Sequence, residues 1–239
     1  MGIHTTEAIV LRRYPFRETS VTLTCLTDQF GKLKGLVKGL RAQPNRYRSA
    51  MEPMTINRIV FYDTRNSQLH LITQCELLSS LTGLQTDLET MRLAALCMEL
   101  VDHVVPLEDP QPAIYQLLKQ ALERLALGEH APLVRTHFIV RLLRLAGFQP
   151  QADMCTGCSI VVRAEGFWSA RHGGLLCPSC LHEDPNAETA GSGMLEALET
   201  LTAADQPPAL DPALLPLLGR RLDEFLRWRL ERPLRTLTT

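Results

Sequence analysis

The sequence predicts an α+β protein of more than one domain, with a β-rich N-terminal part and a helical C-terminal part that carries a four-cysteine module. Three observations lead to this fold class. Apolar and polar residues alternate in short runs before residue 80, apolar residues recur at helical spacing after residue 81, and four of the seven cysteines form two close pairs. A chain of 239 residues is long enough for one or two domains.

The first 80 residues contain about five segments with the alternation and composition of β-strands. Val21–Thr27 places Val21, Leu23 and Cys25 on one face, and the turn-forming residues 28–31 separate it from the next alternating run. The five segments cover Ala8–Arg12, Val21–Thr27, Lys32–Lys38, Thr55–Tyr62 and Leu69–Leu77. They indicate a small barrel or sandwich. Five is the strand number of the OB-fold, but strand count alone does not select that fold.

Helical spacing begins near residue 81 and returns in several segments up to residue 226. The first of these segments has two adjacent apolar stripes, which indicates a helix that is buried among others. Pro106, Gly128 and Gly147 mark helix ends. The pattern therefore predicts a helical bundle, interrupted by a Cys- and Gly-rich stretch at about 150–190.

The formal charge of −1 is an average over two unlike parts of the chain. Residues 1–80 carry a net charge of +5 and the remaining 159 residues carry −6, so the near-neutral total does not exclude a nucleic-acid partner. No run approaches the length of about 20 apolar residues that a membrane span needs. The start of the chain lacks the layout of a signal peptide, and the odd cysteine number argues against a secreted disulfide framework, so we expect a cytoplasmic protein.

The strongest motif is a pair of C-x2-C turns separated by 18 residues. This spacing is typical of a tetrahedral four-thiolate zinc site, and the linker can form a hairpin with its turn at 171–174. A redox pair or a chance cluster is the alternative. Four thiolates leave no open coordination position, so we expect one structural zinc ion rather than a catalytic one, and His172 and His182 are not needed as ligands. The predicted ligands are Cys155, Cys158, Cys177 and Cys180.

A second candidate site is a basic stretch from residue 32 to residue 48, in which no acidic residue occurs. Strand alternation places its three lysines on one outer face, and its three arginines follow in the next loop. Such a track suits phosphate backbones, although a charge run can also be a solvated face. Its cations are Lys32, Lys34, Lys38, Arg41, Arg46 and Arg48, and Arg12, Arg13 and Arg17 extend it. Interleaved aromatic residues that could stack on bases are Tyr14, Phe16 and Tyr47.

The last helical segment also carries arginines, but Asp223, Glu224 and Glu231 lie among them, which favours a solvated helix face. Motifs of catalysis are missing: the sequence has no P-loop, no H-E-x-x-H, no G-x-S-x-G and no G-x-G-x-x-G. No nucleophile with a nearby base is evident either. These absences favour a protein that is not an enzyme.

With these residues in place, the chain resembles a known family, the bacterial recombination mediator and DNA repair protein RecO. Order and spacing agree over most of the chain, most clearly for 1–80 and 140–182. The segments that carry the resemblance are Glu7–Arg13, Arg17–Ser20, Phe30–Leu33, Val37–Gly39, Leu143–Pro150 and Gly173–Cys177. One departure is Ser159, where the family pattern has glycine.

The resemblance implies an N-terminal OB-fold at 1–80 and a helical domain at 81–239, with the zinc module inside it. It also implies binding of single- and double-stranded DNA through the basic face of the OB domain, and annealing of complementary strands. Family members assist RecA loading onto DNA coated by single-strand-binding protein, together with RecR, and this implies a nucleoid-associated place in the cytoplasm. The alternative is a zinc-ribbon adaptor for protein interactions, whose DNA binding is incidental.

Overall fold

The computed structural model describes residues 2–40, 42, 51–64, 67–162, 166–230 and 234–237. The chain divides into two compact units, Met1–Glu129 and His130–Thr239. No helix among the described residues is long and apolar enough to cross a membrane.

The first unit begins with a closed five-stranded barrel in the strand order β1-β2-β3-β5-β4. Its neighbours are antiparallel except for β3 and β5, which pair in parallel with Lys34 opposite Leu69. This is the architecture of the OB-fold, and it confirms the predicted fold class. The strands are β1 (Ile3–Phe16), β2 (Ser20–Thr27), β3 (Gly31–Val37), β4 (Ile56–Tyr62) and β5 (Leu69–Ser79).

Strand β1 closes the barrel because it pairs with two partners along its length. Its first half lies beside β4, its second half lies beside β2, and the register with β2 shifts between Val10 and Arg12. Such an irregularity bends a strand and lets it turn from one neighbour to the next. The alternating apolar residues point inward as expected, and the core includes Ala8, Val10, Val21, Leu23, Cys25, Leu33, Val37, Ile59, Phe61 and Ile72.

Two helices, α1 (Leu88–Val104) and α2 (Pro112–Ala126), belong to the same compact unit as the barrel. Asp87 caps α1, because its carboxylate accepts from the backbone N–H groups of Glu89 and Thr90. Helix α2 is joined to β1 by Glu7, whose Oε1 lies 2.6 Å from Lys119 Nζ. The loop between the helices passes close to the barrel at Gly31, where a Cβ atom would lie 2.1 Å from the carbonyl oxygen of Asp109. Only glycine fits this approach at its φ of +68°.

The described part of the second unit contains three α-helices, short 3-10 turns and a small sheet. The helices are α3 (Ala131–Leu145), α4 (Ser192–Ala203) and α5 (Leu215–Arg229). The sheet has the order β6-β8-β7-β9, with β6 (Gln151–Cys155), β7 (Gly166–Ser169), β8 (Gly174–Leu176) and β9 (Glu188–Ala190). Strands β7 and β8 pair antiparallel around the turn at 170–173, so the predicted hairpin is confirmed.

Candidate nucleic-acid interface and metal centre

Three of the predicted cations are exposed on the barrel without an acidic partner among the described residues. Lys34 projects from the middle of β3 and Lys38 follows its last residue, as strand alternation predicts. Arg17 lies in the turn between β1 and β2, with a left-handed φ of 54°. These side chains are free to meet a negatively charged ligand.

Arg17 and Lys38 border a surface cleft of about 550 Å³ between the β1–β2 turn and the end of β3. Phe16 and Leu36 contribute apolar surface, and Ser20 contributes a hydroxyl group. The guanidinium carbon of Arg17 lies 5.3 Å from the centre of the Phe16 ring. Cations beside an aromatic surface and a hydroxyl group can bind phosphates and support a base.

Lys32 differs from the expectation of an outward-facing lysine. It is only 8% exposed, and its Nζ lies 3.2 Å from Oδ1 of Asp102 while also donating to the Asp102 carbonyl oxygen. The placement of Lys32 on an exposed track is therefore wrong, because α1 covers this end of β3. Sequence reasoning missed Asp102, which follows Lys32 by 70 residues and has no local signal of pairing.

Arg12 and Arg13 are half-buried and paired with acids. The Nε atom of Arg12 lies 2.7 Å from Oδ2 of Asp102, and Nη1 of Arg13 lies 2.6 Å from Oε1 of Glu52. A phosphate would have to compete with these carboxylates, so both arginines are weaker candidates than Arg17. Their role as DNA contacts stays a prediction.

The three loop arginines of the predicted track lie outside the described residues, as does Tyr47; they are Arg41, Arg46 and Arg48. Of the other two aromatic candidates, Tyr14 is exposed and Phe16 is half-buried. The structure thus brings Phe16, Arg17 and Lys38 together at one cleft and places Lys34 on the same strand as the cleft wall.

The four predicted cysteine ligands converge in the second unit. The sulfur atoms of Cys155, Cys158, Cys177 and Cys180 all lie within 4.8 Å of one another. Cys158 Sγ and Cys177 Sγ are 3.7 Å apart, far longer than a disulfide bond, and all four cysteines are free thiols. A tetrahedral site with Zn–S bonds of about 2.3 Å requires sulfur atoms about 3.8 Å apart. The set therefore fits a four-thiolate metal site.

Backbone N–H groups prepare Cys155 for a metal. The N–H of Cys177 donates to Cys155 Sγ over 3.3 Å. Burial would raise the pKa of Cys155, but hydrogen bonds from the backbone of Cys158, Cys177 and Gly157 outweigh it and lower the pKa to about 6. A hydrogen bond with Cys158, together with burial, raises the pKa of Cys180. Thiols that share protons in this way release them when a cation binds.

The two histidines near the cluster have other partners. His172 Nδ1 lies 3.1 Å from Ser169 Oγ, and His182 Nδ1 lies 2.9 Å from the carbonyl oxygen of Ser179. Neither belongs to the group of converging ligand atoms. Four sulfur atoms complete a tetrahedron by themselves, which is the arrangement of a structural site.

Comparison with known proteins identifies the family to which the chain belongs. The family model of the Recombination protein O N-terminal domain matches residues 1–81, and that of the Recombination protein O C-terminal domain matches residues 85–238. The chain belongs to the RecO family. The two RecO models meet just after β5, at the end of the barrel, whereas the first compact unit continues through α2.

Curated relatives carry the RecO name over nearly the whole chain. DNA repair protein RecO of Moorella thermoacetica is 32% identical, with 98% of this chain and 89% of the relative covered. DNA repair protein RecO of Desulforudis audaxviator is 34% identical over 84% of this chain and 80% of its own. The RecO protein of a Nocardioides species is 32% identical over 97% and 96%. The resemblance found in the sequence is confirmed, and the chain is a RecO-family DNA repair protein.

Proposed function

We propose that this RecO-family chain is a non-enzymatic mediator that binds single- and double-stranded DNA and anneals complementary strands. With RecR, it assists loading of RecA onto DNA coated by single-strand-binding protein. The observation that supports this proposal best is a set of exposed cations on the barrel that have no acidic partner within the described ranges, Arg17, Lys34 and Lys38. The family's DNA repair role agrees with it.

Annealing requires affinity for DNA without a firm hold on the bases, because the bases must remain able to pair. Lysine and arginine side chains on a β-sheet surface meet phosphates, which carry no sequence information. The cleft beside Phe16 is open, and its polar lining consists of two cations, the carboxylate of Glu18 and the hydroxyl groups of Thr19 and Ser20. Such a surface holds a strand by its backbone and leaves base pairing to the strands.

The cysteine cluster has a structural role in this proposal. One zinc ion held by Cys155, Cys158, Cys177 and Cys180 would stabilise the β-rich module at about 150–190. Among the described residues, the apolar side chains that pack with the cysteines are the buried Leu176 and the half-buried Val162, Phe167 and Ala187. The other parts of the proposal are a domain division at 80/81, DNA contacts by the loop arginines Arg41, Arg46 and Arg48, and a nucleoid-associated place in the cytoplasm.

The central experiment measures annealing of complementary strands coated by single-strand-binding protein, with and without this chain. We expect faster annealing with the wild-type chain, and loss of the effect in the triple variant Arg17→Glu, Lys34→Glu, Lys38→Glu. A stable complex with RecR combined with unchanged annealing would favour the alternative of a protein-interaction adaptor. A nuclease product in clean preparations with divalent metals would contradict a non-enzymatic role.

Salt dependence tests the phosphate contacts directly. Each lost contact reduces the slope of log affinity against log salt by about 0.7 for single-stranded DNA, so the triple variant should lose about 2 from the slope. Arg92→Glu is the matched control for the single variant Lys34→Glu, because Arg92 is an exposed cation on α1 and the charge change is the same. Equal loss of affinity in both single variants would mean that the barrel cations act only through net charge.

A further inference from the structure

Helix α5 exposes a tryptophan between arginines. Trp228 is 62% exposed, although the other large apolar residues of the helix are buried or, in the case of Leu217, half-buried. The only other tryptophan of the chain, Trp168, is 2% exposed. Arg220 and Arg227 are also exposed. At 100° per residue, Arg227, Arg220 and Trp228 fall within about 100° of the helix surface, on the side away from Leu222 and its buried neighbours.

The acidic residues near this surface are held by buried arginines. Arg221, which is buried, lies 2.6 Å from Glu188 Oε2 and 3.4 Å from Glu224 Oε2. Asp223 pairs with the buried Arg135 of α3. Arg220 and Arg227 have no ion-pair partner in the described part of the chain. The hydrogen bond and charge of Arg221, and the charge of Arg220, lower the pKa of Glu188. Glu224 is half-buried and lies on the helix surface between Arg220 and Trp228, and Glu231 lies outside the described residues. The acids therefore pair with the inner arginines and compensate the outer arginines only in part.

The end of α5 is fixed in place by the cysteine module. Arg229 donates to the carbonyl oxygen of His172, with 3.4 Å between the atoms, and its guanidinium carbon lies 5.5 Å from the centre of the Phe225 ring. A Cβ atom on Gly173 would lie 1.6 Å from Arg229 Nη2, so the hairpin turn and the helix end are in close contact. This packing holds the last turn of α5, and Trp228 with it, in a defined orientation.

We propose that Arg220, Arg227 and Trp228 form a second nucleic-acid site, which binds a single strand. One unstacked base lies on the exposed Trp228 ring, and the two arginines, which both precede Trp228 along the helix, contact phosphates on one side of that base. Arg220 and Arg227 are seven residues apart, which is about 10.5 Å along a helix and gives the strand two separate points of contact. A single strand fits best, because its bases are free to stack on an aromatic ring whereas those of a duplex are already stacked.

Charge and surface composition favour nucleic acid over a protein partner at this site. Among the described residues of α5, the exposed neighbours of Trp228 are Arg227 and Arg229, and the half-buried Glu224 lies one turn before it. No other exposed apolar side chain lies in this turn of the helix to extend a dry protein contact. The inference rests on the proposed function in one respect: annealing involves two strands, and a site on each compact unit would hold one strand each. Binding at α5 itself does not depend on annealing.

The test uses Trp228 as its own reporter in the full chain. Thymidine oligonucleotide is titrated into the variant Lys34→Glu, Lys38→Glu, in which the barrel site is weakened, and tryptophan emission is recorded. We expect quenching of the exposed Trp228, and no change in Trp228→Phe, whose remaining Trp168 is buried. Trp228→Ala should weaken oligonucleotide binding in this background about tenfold, because loss of a stacked base costs about that factor.

Charge reversal supplies the matched comparison. Arg227→Glu should weaken the quenching titration several-fold, whereas Arg92→Glu, which changes the charge equally on an exposed position of α1, should not. The proposal is overturned if Trp228 emission stays constant while the oligonucleotide binds, or if only a protein partner changes it. If annealing fails in the wild-type chain while Trp228 is still quenched, the proposed function is rejected and the α5 site is retained.

Discussion

The Nζ atom of Lys32 lies 3.2 Å from Oδ1 of Asp102, which turns a lysine of the barrel surface into a link to helix α1. Asp102 also accepts a hydrogen bond from Arg12 Nε at 2.7 Å, so two cations of β1 and β3 share a single carboxylate. Both lysine and carboxylate are largely buried, so loss of Lys32 would leave the buried Asp102 with Arg12 as its remaining ion-pair partner among the described residues.

Lys32→Ala is therefore expected to lower the free energy of unfolding by about 2 kcal/mol, because Asp102 loses a buried partner. Lys34→Ala, two residues along the same strand but exposed, should change it by less than about 0.5 kcal/mol. Urea denaturation of both variants measures the difference. If the two variants had the same free energy of unfolding, the Lys32–Asp102 pair would not stabilise the fold.

Glu7 is expected to make stability depend on pH. Burial acts to raise its pKa, but hydrogen bonds from Lys119 and Tyr115 together lower the pKa below its usual value. A carboxyl group with a lowered pKa in the folded state stabilises the fold above its unfolded pKa, and this stabilisation is lost as the pH falls through the folded pKa. Glu7→Gln should cost about 1 kcal/mol at pH 7 and progressively less below about pH 4. Denaturation curves at several pH values test this, and a constant difference at every pH would contradict it.

Removal of the metal should unfold the cysteine module. We expect about one zinc per chain, since four thiolates form one closed site. Trp168 in β7 is buried, so chelation should shift its emission to longer wavelength in a Trp228→Phe background. Cys177→Ser should lose the metal, whereas Cys75→Ser, a cysteine of the barrel, should keep it. Zinc loss without any change in Trp168 emission would show that the module folds without the ion.

Ser159 offers a stabilising substitution. It follows Cys158 with a φ of 62°, a left-handed conformation that costs a residue with a Cβ atom about 1 kcal/mol. Ser159→Gly should therefore raise the chelator concentration needed to strip the metal, by up to about fivefold, and Ser159→Ala should not. If the glycine and alanine variants resist the chelator equally, the backbone at residue 159 is not strained.

The parts of the fold that follow from local pattern were predictable from the sequence. Alternation over Val21–Thr27 and Lys32–Lys38 predicted the strands and their faces, and the spacing of the cysteines predicted a cluster whose sulfur atoms indeed converge. The strand order was not available from the pattern, because the parallel pairing of β3 with β5 depends on how the barrel closes. The OB-fold, which implies this strand order, was expected only from the resemblance to a known family.

Charge compensation was the main feature that the sequence concealed. Lys32 and Lys34 occupy the same face of β3, yet only Lys34 is exposed, because a helix more than 50 residues away in sequence covers the other. On α5 the sequence predicted a solvated helix face, and Arg220 and Arg227 are indeed exposed. It did not show that Asp223 pairs with Arg135 and Glu224 with Arg221, because these partners depend on how the helices pack.

Closure of the barrel limits how other proteins can recognise it. An open sheet offers an edge to which a partner can add a β-strand through main-chain hydrogen bonds. Here every strand of the barrel already has two neighbours, with β1 joined to both β2 and β4. A protein that binds the barrel must therefore contact its side chains and loops. Surface substitutions leave the backbone pairing intact, so they are sufficient to locate the surface that each such partner contacts.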